Sequence, residues 1–420
     1  MGSPDQVPGK VPGDSPAVDL ADLQEARRLL DGVADTTPVQ DTRWLSGVAG
    51  VPVKLKCENL QRTGSFKIRG AYVRIARLSP EERQRGVVAA SAGNHAQGVA
   101  LASAILGVRA TVFMPEGAPI PKERATRGYG ADVRFAGPSV ESAISAAVEF
   151  AERTNAVLIH PFDHADIVAG QASVGLEILE QVPEASTIVV PMGGGGLAAG
   201  IALAAHALRP DIRVVGVQAE RLAAYPPSLH ERTPVTAPPA RTMADGIAVA
   251  RPGDVPFGSV LHFVDRVLTV SENDLSRALV QLLERTKLLV EPAGAAAVAA
   301  VVSHRETFAD DRCVVPVLSG GNIDPVLLLQ VIRHGMTSAG RYLSFRVRIP
   351  DRPGQISRLM GELAHLQVNL LDIVHERTAP GLDVDEVQVA LQIETRGPEH
   401  RAAVEAHLAA AGYRLNAHLD

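Results

Sequence analysis

The stretch STIVVPMGGGGLAAGIALAAHAL (Ser186–Leu208) decides how this chain folds. STIVV is apolar and β-branched without period-2 alternation, which suits a strand covered on both faces, as in a parallel sheet. LAAGIALAAHAL reads as a helix. Between them stand Gly193, Gly194, Gly195 and Gly196. An ordinary strand-to-helix turn rarely needs four glycines. Such a run exposes consecutive backbone N–H groups at a helix start, and phosphate is its natural guest. A rival reading takes Gly193, Gly195 and Ala198 as the G-x-G-x-x-A of a dinucleotide-binding fold, with Glu220 as the ribose-binding acid. That pattern ignores Gly194 and Gly196 and lies near mid-chain.

The same strand–helix rhythm runs outward from about residue 51 to 325. VPVKLKCE, GVVAAS, RATVFM, ADVRFAG, AVLIHP, RVVGVQAE and CVVPVLSGG read as further strands, several ending in Gly or Ser. The pattern predicts an α/β architecture with open, mostly parallel sheets wrapped by helices, its ligands at the carboxyl ends of strands. Residues 1–18 read as a disordered tail. A helix should follow from Asp19, a candidate cap, to a stop at Gly32. YPPSLHERTPVTAPPA (225–240) reads as a surface loop and 336–341 as a linker. The segment 342–420 changes character: RYLSFRVRIP alternates, DRPG is a turn, QISRLMGELAHL puts Ile356, Leu359, Met360 and Leu363 on one helical face, and the order βαββαβ is ferredoxin-like.

Composition closes several other routes. The 420 residues fit two or three domains, with 46% hydrophobic and 21% charged residues. A net charge of −6, no Lys/Arg cluster and 4% aromatics argue against nucleic acid. Cys57 and Cys313 are too few for a disulfide scaffold or a Cys-rich zinc site and read as buried free thiols. With no apolar signal core and no run long enough to span a membrane, a soluble cytoplasmic protein is expected. No metal-ligand spacing is visible among the histidines.

Three more motifs can carry chemistry. In TGSFKIRGA (63–71), Lys67 stands between Phe66 and Ile68, and an apolar setting favours the neutral amine that Schiff-base chemistry needs. By itself such a lysine more often snorkels to water. In SAGNHAQGVA (91–100), Ser91, Asn94 and His95 lie where a strand becomes a helix, a place that favours a carboxylate; the ordinary alternative is a helix cap. In VLSGGN (317–322), Ser319 at a strand end can face a heterocycle nitrogen or simply cap a helix. Glu291 in VEPAGA reads as a helix-dipole partner.

These motifs, in this order, resemble the fold-type II pyridoxal-phosphate enzymes of the tryptophan-synthase-β class, and within them threonine dehydratase (threonine ammonia-lyase), over residues 20–335. The final segment resembles an ACT domain, a ligand-sensing module. The resemblance implies a catalytic domain at 19–335, with a small subdomain at about 65–165, and an ACT-like regulatory domain at 342–420. It implies that Lys67 carries the cofactor, Phe66 packs near its ring and Asn94 contacts its phenolic oxygen. Gly193, Gly194, Gly195, Gly196 and Leu197 would offer amides to its phosphate, and Ser319 would face its ring nitrogen. Ser91, Asn94 and His95 would hold the substrate carboxylate. Deaminating dehydration of L-threonine to 2-oxobutanoate and ammonia follows, with L-serine giving pyruvate, regulation by a small ligand, and a homo-oligomer. Ala92 stands where serine racemases carry an acid/base serine. Glu220 and Ala224 match the spacing of a cation site in those relatives, but Pro226 replaces a second acid. Alternatives are a serine racemase/dehydratase or β-replacement synthase of the same fold, and, more distantly, a nicotinamide-dependent oxidoreductase.

Overall fold

A computed structural model of the chain describes residues 18–378 and 381–417. The residues divide into two compact units, Met1–Asp324 and Pro325–Asp420.

The first unit carries a small antiparallel pair, β1 (Val39–Asp41) and β2 (Lys54–Lys56). Two four-stranded parallel sheets follow. One contains β3 (Val87–Ala90), β4 (Ala110–Met114), β5 (Asp132–Phe135) and β6 (Val157–Leu158) in the order β5-β4-β3-β6. The other contains β7 (Thr187–Pro191), β8 (Arg213–Ala219), β9 (Arg266–Val270) and β10 (Val314–Pro316) in the order β10-β7-β8-β9. Every residue of β7 is buried, as its unbroken apolar run requires. Two strands were not expected from sequence: β1 has three residues, and β9 is a half-exposed edge strand.

Helices Ala165–Gln181 and Gly196–Leu208 are buried along most of their length and pack on each other. Their small residues permit the contact: a Cβ on Gly200 would stand 2.6 Å from the Ala172 nitrogen, and one on Gly175 would stand 2.9 Å from the Ala204 Cβ. Such approach favours Gly and Ala over larger helix formers. Among the described residues no helix is long and apolar enough to cross a membrane.

The helix expected after Asp19 spans Leu20–Leu29, with Asp19 and Asp22 forming a capping box. The expected tail reaches one residue too far, because Val18 is 3% exposed and joins the core; residues 1–17 lie outside the described residues. The segment at 225–240 is not all loop. Tyr225–Glu231 is a helix with proline in its first turn, where a missing N–H costs nothing. Cys57 and Cys313 are buried free thiols.

The second unit opens with helix Pro325–Ser338, so the segment expected as a linker (336–341) begins inside a helix. It continues with β11 (Tyr342–Pro350), helix Gln355–His365, β12 (Asn369–Glu376), β13 (Glu386–Glu394), helix Pro398–Ala410 and β14 (Leu415–Ala417). The sheet order β12-β13-β11-β14, antiparallel throughout, is the ferredoxin-like arrangement. Leu359 and Leu363 are buried, and Ile356 and Met360 pack beside them.

Candidate active site

Three loops from distant parts of the first unit meet in one place. Thr63 and Gly64 both take positive φ, 64° and 68°, and turn the chain so that Ser65 bridges Gly320. The Phe66 N–H then donates to the Ser319 carbonyl at 3.3 Å, and Lys67 opens helix Lys67–Ala76. Asn322 Nδ2 donates to the Thr63 carbonyl at 2.5 Å and to Asn94 Oδ1 at 2.8 Å. Asn94 Nδ2 donates in turn to Glu291 Oε1 at 2.6 Å. The lysine motif, the Ser91–His95 loop and the Ser319–Asn322 loop are thereby locked together through one carboxamide.

Lys67 keeps partial contact with solvent, and its Nζ donates to the Pro161 carbonyl at 2.9 Å. Burial lowers its pKa to about 8, with the Glu291 carboxylate opposing. A sizeable neutral fraction therefore exists near neutrality, as a carbonyl-attacking amine requires. Burial pushes Glu291 up to about 7, Asp245 adds to the rise, and Lys122 and Asn94 work against it. Glu291 precedes helix Pro292–Ser303 but makes no side-chain cap bond there; its carboxyl faces the site instead. Sequence reading saw only a dipole partner. The clue was a carboxylate at the mouth of an all-apolar helix with no cation beside it.

The His95 ring is 4% exposed and meets the Ile159 carbonyl at 2.8 Å through Nε2. Burial, then the Lys67 charge, drive its pKa down to about 3, so the ring is neutral and donates that hydrogen bond. Its ring is fixed into the fold through Nε2, which leaves Nδ1 as an acceptor and the backbone N–H facing the loop. Ser91 Oγ accepts from the Gly93 N–H at 3.1 Å and keeps its own proton to donate.

The glycine run is a cradle built from beneath. Gly195 has φ 101° and caps helix Gly196–Leu208. A Cβ on Gly194 would overlap the Phe162 ring, and one on Gly195 the Tyr225 hydroxyl. Tyr225 is fully buried and donates through its hydroxyl to the Gly194 carbonyl at 3.1 Å. Among the described residues the amides of Gly193, Gly194, Gly195 and Gly196 donate to no protein acceptor. Free amides at a helix start fit a phosphate. Phe162 follows Pro161, which ties this cradle to the Lys67 amine. Leu197 and Ser319 are buried at 5% and 4% exposure, and the Ser65 hydroxyl is buried without a partner. The residues present thus fit pyridoxal phosphate.

Sequence reading missed what holds Lys67 in place. Arg69, two residues on, is 1% exposed and pairs with Glu58 at 2.8 Å and Glu177 at 2.5 Å, while Lys56 pairs with Glu177 at 2.5 Å. This buried quartet joins β2, the lysine-bearing helix and helix Ala165–Gln181. Glu220 is exposed and Ala224 a buried methyl. Among the described residues no three His, Cys, Asp or Glu side chains cluster as metal ligands.

Two parallel sheets meeting at a lysine of lowered pKa and a free-amide glycine cradle define the chain as a fold-type II pyridoxal-phosphate enzyme. The family profile "Pyridoxal-phosphate dependent enzyme" matches residues 31–320, and the chain belongs to that family. Within it the chain is a lyase of the threonine ammonia-lyase group. It is 42% identical over 398 residues to the L-threonine ammonia-lyase of Thermotoga maritima, covering 95% of this chain and 99% of that one. The processed threonine deaminase isoform 2 of Solanum lycopersicum superposes with a TM-score of 0.71 at 34% identity, covering 79% of this chain and 98% of that one. Maize serine racemase superposes at 0.72 with 35% identity, covering 75% and 96%. The nicotinamide reading falls with this membership, because the family's cofactor is pyridoxal phosphate.

Proposed function

We propose that the chain converts L-threonine to 2-oxobutanoate and ammonia, takes L-serine to pyruvate as a secondary activity, and is regulated by a small ligand bound to its C-terminal βαββαβ unit. The observation that carries this reading is the near-neutral Lys67 amine joined through Pro161 and Phe162 to the free amides of Gly193–Gly196. The similarity to the Thermotoga maritima L-threonine ammonia-lyase over 95% of the chain supports threonine as substrate.

Pyridoxal phosphate, when bound, supplies an electron sink for the charge left at the substrate Cα. Lys67 Nζ would be the attachment point for that cofactor and the base that takes the substrate Cα proton. Its lowered pKa leaves a neutral amine for both tasks. The glycine amides and the Leu197 amide would hold the phosphate. Asn94, clamped by Glu291 and Asn322, would meet the ring's phenolic oxygen, and Ser319 the ring nitrogen. Ser91 and the amides at the start of helix Asn94–Leu106 take the substrate carboxylate. Ala92 offers only a methyl where a racemase would need a second acid/base, so loss of the β-hydroxyl is favoured over return of the proton. One missing methyl should cost serine about 1–3 kcal/mol relative to threonine.

The test is a 2-oxo acid assay on the purified protein with threonine or serine alone, repeated with amino acids as added effectors. Release of 2-oxobutanoate without a second nucleophile supports the reading. A racemised product, or a demand for an added thiol, rejects it. A rate indifferent to every amino acid tried, with no ligand bound by the C-terminal unit, rejects the regulatory part.

A further inference from the structure

Lys122 stands at the edge of the site with an arrangement that the fold alone does not explain. It occupies the third position of helix Ile120–Gly128, in the turn where the helix dipole repels a cation. It is 8% exposed. Its ammonium lies 3.7 Å from the place a Cβ on Gly93 would take, against the Ser91–His95 loop. Its Nζ pairs with Asp245 Oδ2 at 2.9 Å, and that aspartate side chain is 57% exposed. A pair with so wet a partner contributes little to stability. Burial works against the Lys122 charge, and Asp245 more than restores it, so the ammonium stays protonated.

The neighbours place this pair between the Ser91–His95 loop and the glycine run. Lys122 comes from the helix between β4 and β5. Asp245 opens the short turn Asp245–Ile247, and the Ile247 Cα lies 3.1 Å from where a Cβ on Gly193 would be. Gly246, between them, faces Glu291 and Ala293. Two further carboxyls, Glu291 and Asp324, act on Lys122 through charge, and Glu291 is already held by Asn94. The cation is therefore buried and fixed, and its partner is exposed and replaceable.

We propose that Lys122 receives the α-carboxylate of the amino-acid substrate at the Ser91–His95 loop, and that Asp245 holds its ammonium until that carboxylate takes the aspartate's place. The proposal rests on the amino-acid lyase reading above and names a recognition residue within it.

The experiment uses the full-length holoenzyme and its variants Lys122→Met, Lys122→Arg and Asp245→Asn. Steady-state rates with threonine are measured. The visible band of the bound cofactor is titrated with threonine and with threoninol, the amino alcohol that lacks the carboxylate. Lys122→Met should raise KM for threonine roughly 10- to 100-fold, the range for a lost charged hydrogen bond, with kcat within about threefold. Its half-saturation by threoninol should stay within about twofold, so that discrimination between the two ligands collapses. Lys122→Arg should restore most of the affinity, and Asp245→Asn should leave KM unchanged or lower it. A Lys122→Met enzyme with unchanged KM, or one equally weakened toward threoninol, overturns the proposal. So does an Asp245→Asn enzyme as weak as Lys122→Met, which would make the pair a fixed brace. Should Lys122→Met fail to hold cofactor, Asp245→Asn decides alone. Failure of the wild type to release 2-oxo acid would instead reject the lyase reading, and the two titrations would still report carboxylate recognition.

Discussion

Asn94 and Glu291 are 197 residues apart in the chain and share a 2.6 Å hydrogen bond at the centre of the site. Burial holds the Glu291 carboxyl near 7 in place of its ordinary 4.5. Between those values the folded protein keeps a proton that the unfolded chain has released, so stability falls as pH rises from about 4.5 to 7 and the loss is complete above 7. Glutamine keeps the acceptor and cannot ionise. Glu291→Gln, stripped of cofactor, should unfold in urea with up to about 3 kcal/mol more stability than wild type at pH 8. At pH 4.5 the two should nearly coincide. A larger gap in acid than in base would contradict the assignment.

The hydroxyl of Tyr225 supports the glycine run from below by bonding the Gly194 carbonyl. Tyr225→Phe keeps the ring and removes about 1 kcal/mol of hydrogen bonding. Cofactor affinity, titrated into the stripped protein, should fall about fivefold, while kcat at saturating cofactor stays within about twofold. A kcat loss without an affinity loss would place Tyr225 in a different role.

Lys67 must be neutral to attack the cofactor's aldehyde. The rate at which the stripped protein regains its visible band should rise with pH through about 8, well below the ordinary lysine value of 10.5. A rise centred near 10.5 would show the amine in bulk water. Lys67→Ala should lose both the band and turnover.

Arg69 is the one guanidinium shared by Glu58 and Glu177 in the buried quartet. Arg69→Met leaves those carboxylates short of a partner and should cost about 3–5 kcal/mol in denaturant unfolding. The exposed Arg266–Asp265 pair is the control; Arg266→Met should cost less than about 0.5 kcal/mol. Equal losses would mean the quartet is not buried in solution.

The alternation of apolar runs and Ala-rich helices made both parallel sheets legible, since strands buried on two faces have no other way to be written. The four glycines and the Ser319 loop stood out because each breaks a pattern at a strand end, whereas Lys67 stood out only through its place in the order of motifs. Arg69, Tyr225, Phe162 and Lys122 were not. Their meaning lies in partners 11 to 123 residues away, which no local period encodes. Tyr225 was further hidden by Pro226 and Pro227, which read as loop although the first turn of a helix accepts proline. The bond from the His95 ring to the Ile159 carbonyl, 64 residues away, was equally beyond the reach of the motif.

The cradle at Gly193–Gly196 offers peptide groups and no side-chain charge. An anchor of that kind would have no proton of its own to lose, so any change in its grip with pH would come from the phosphate, whose second pKa is about 6. The proton on Lys67 can come and go through every turnover without loosening the hold on the cofactor's other end.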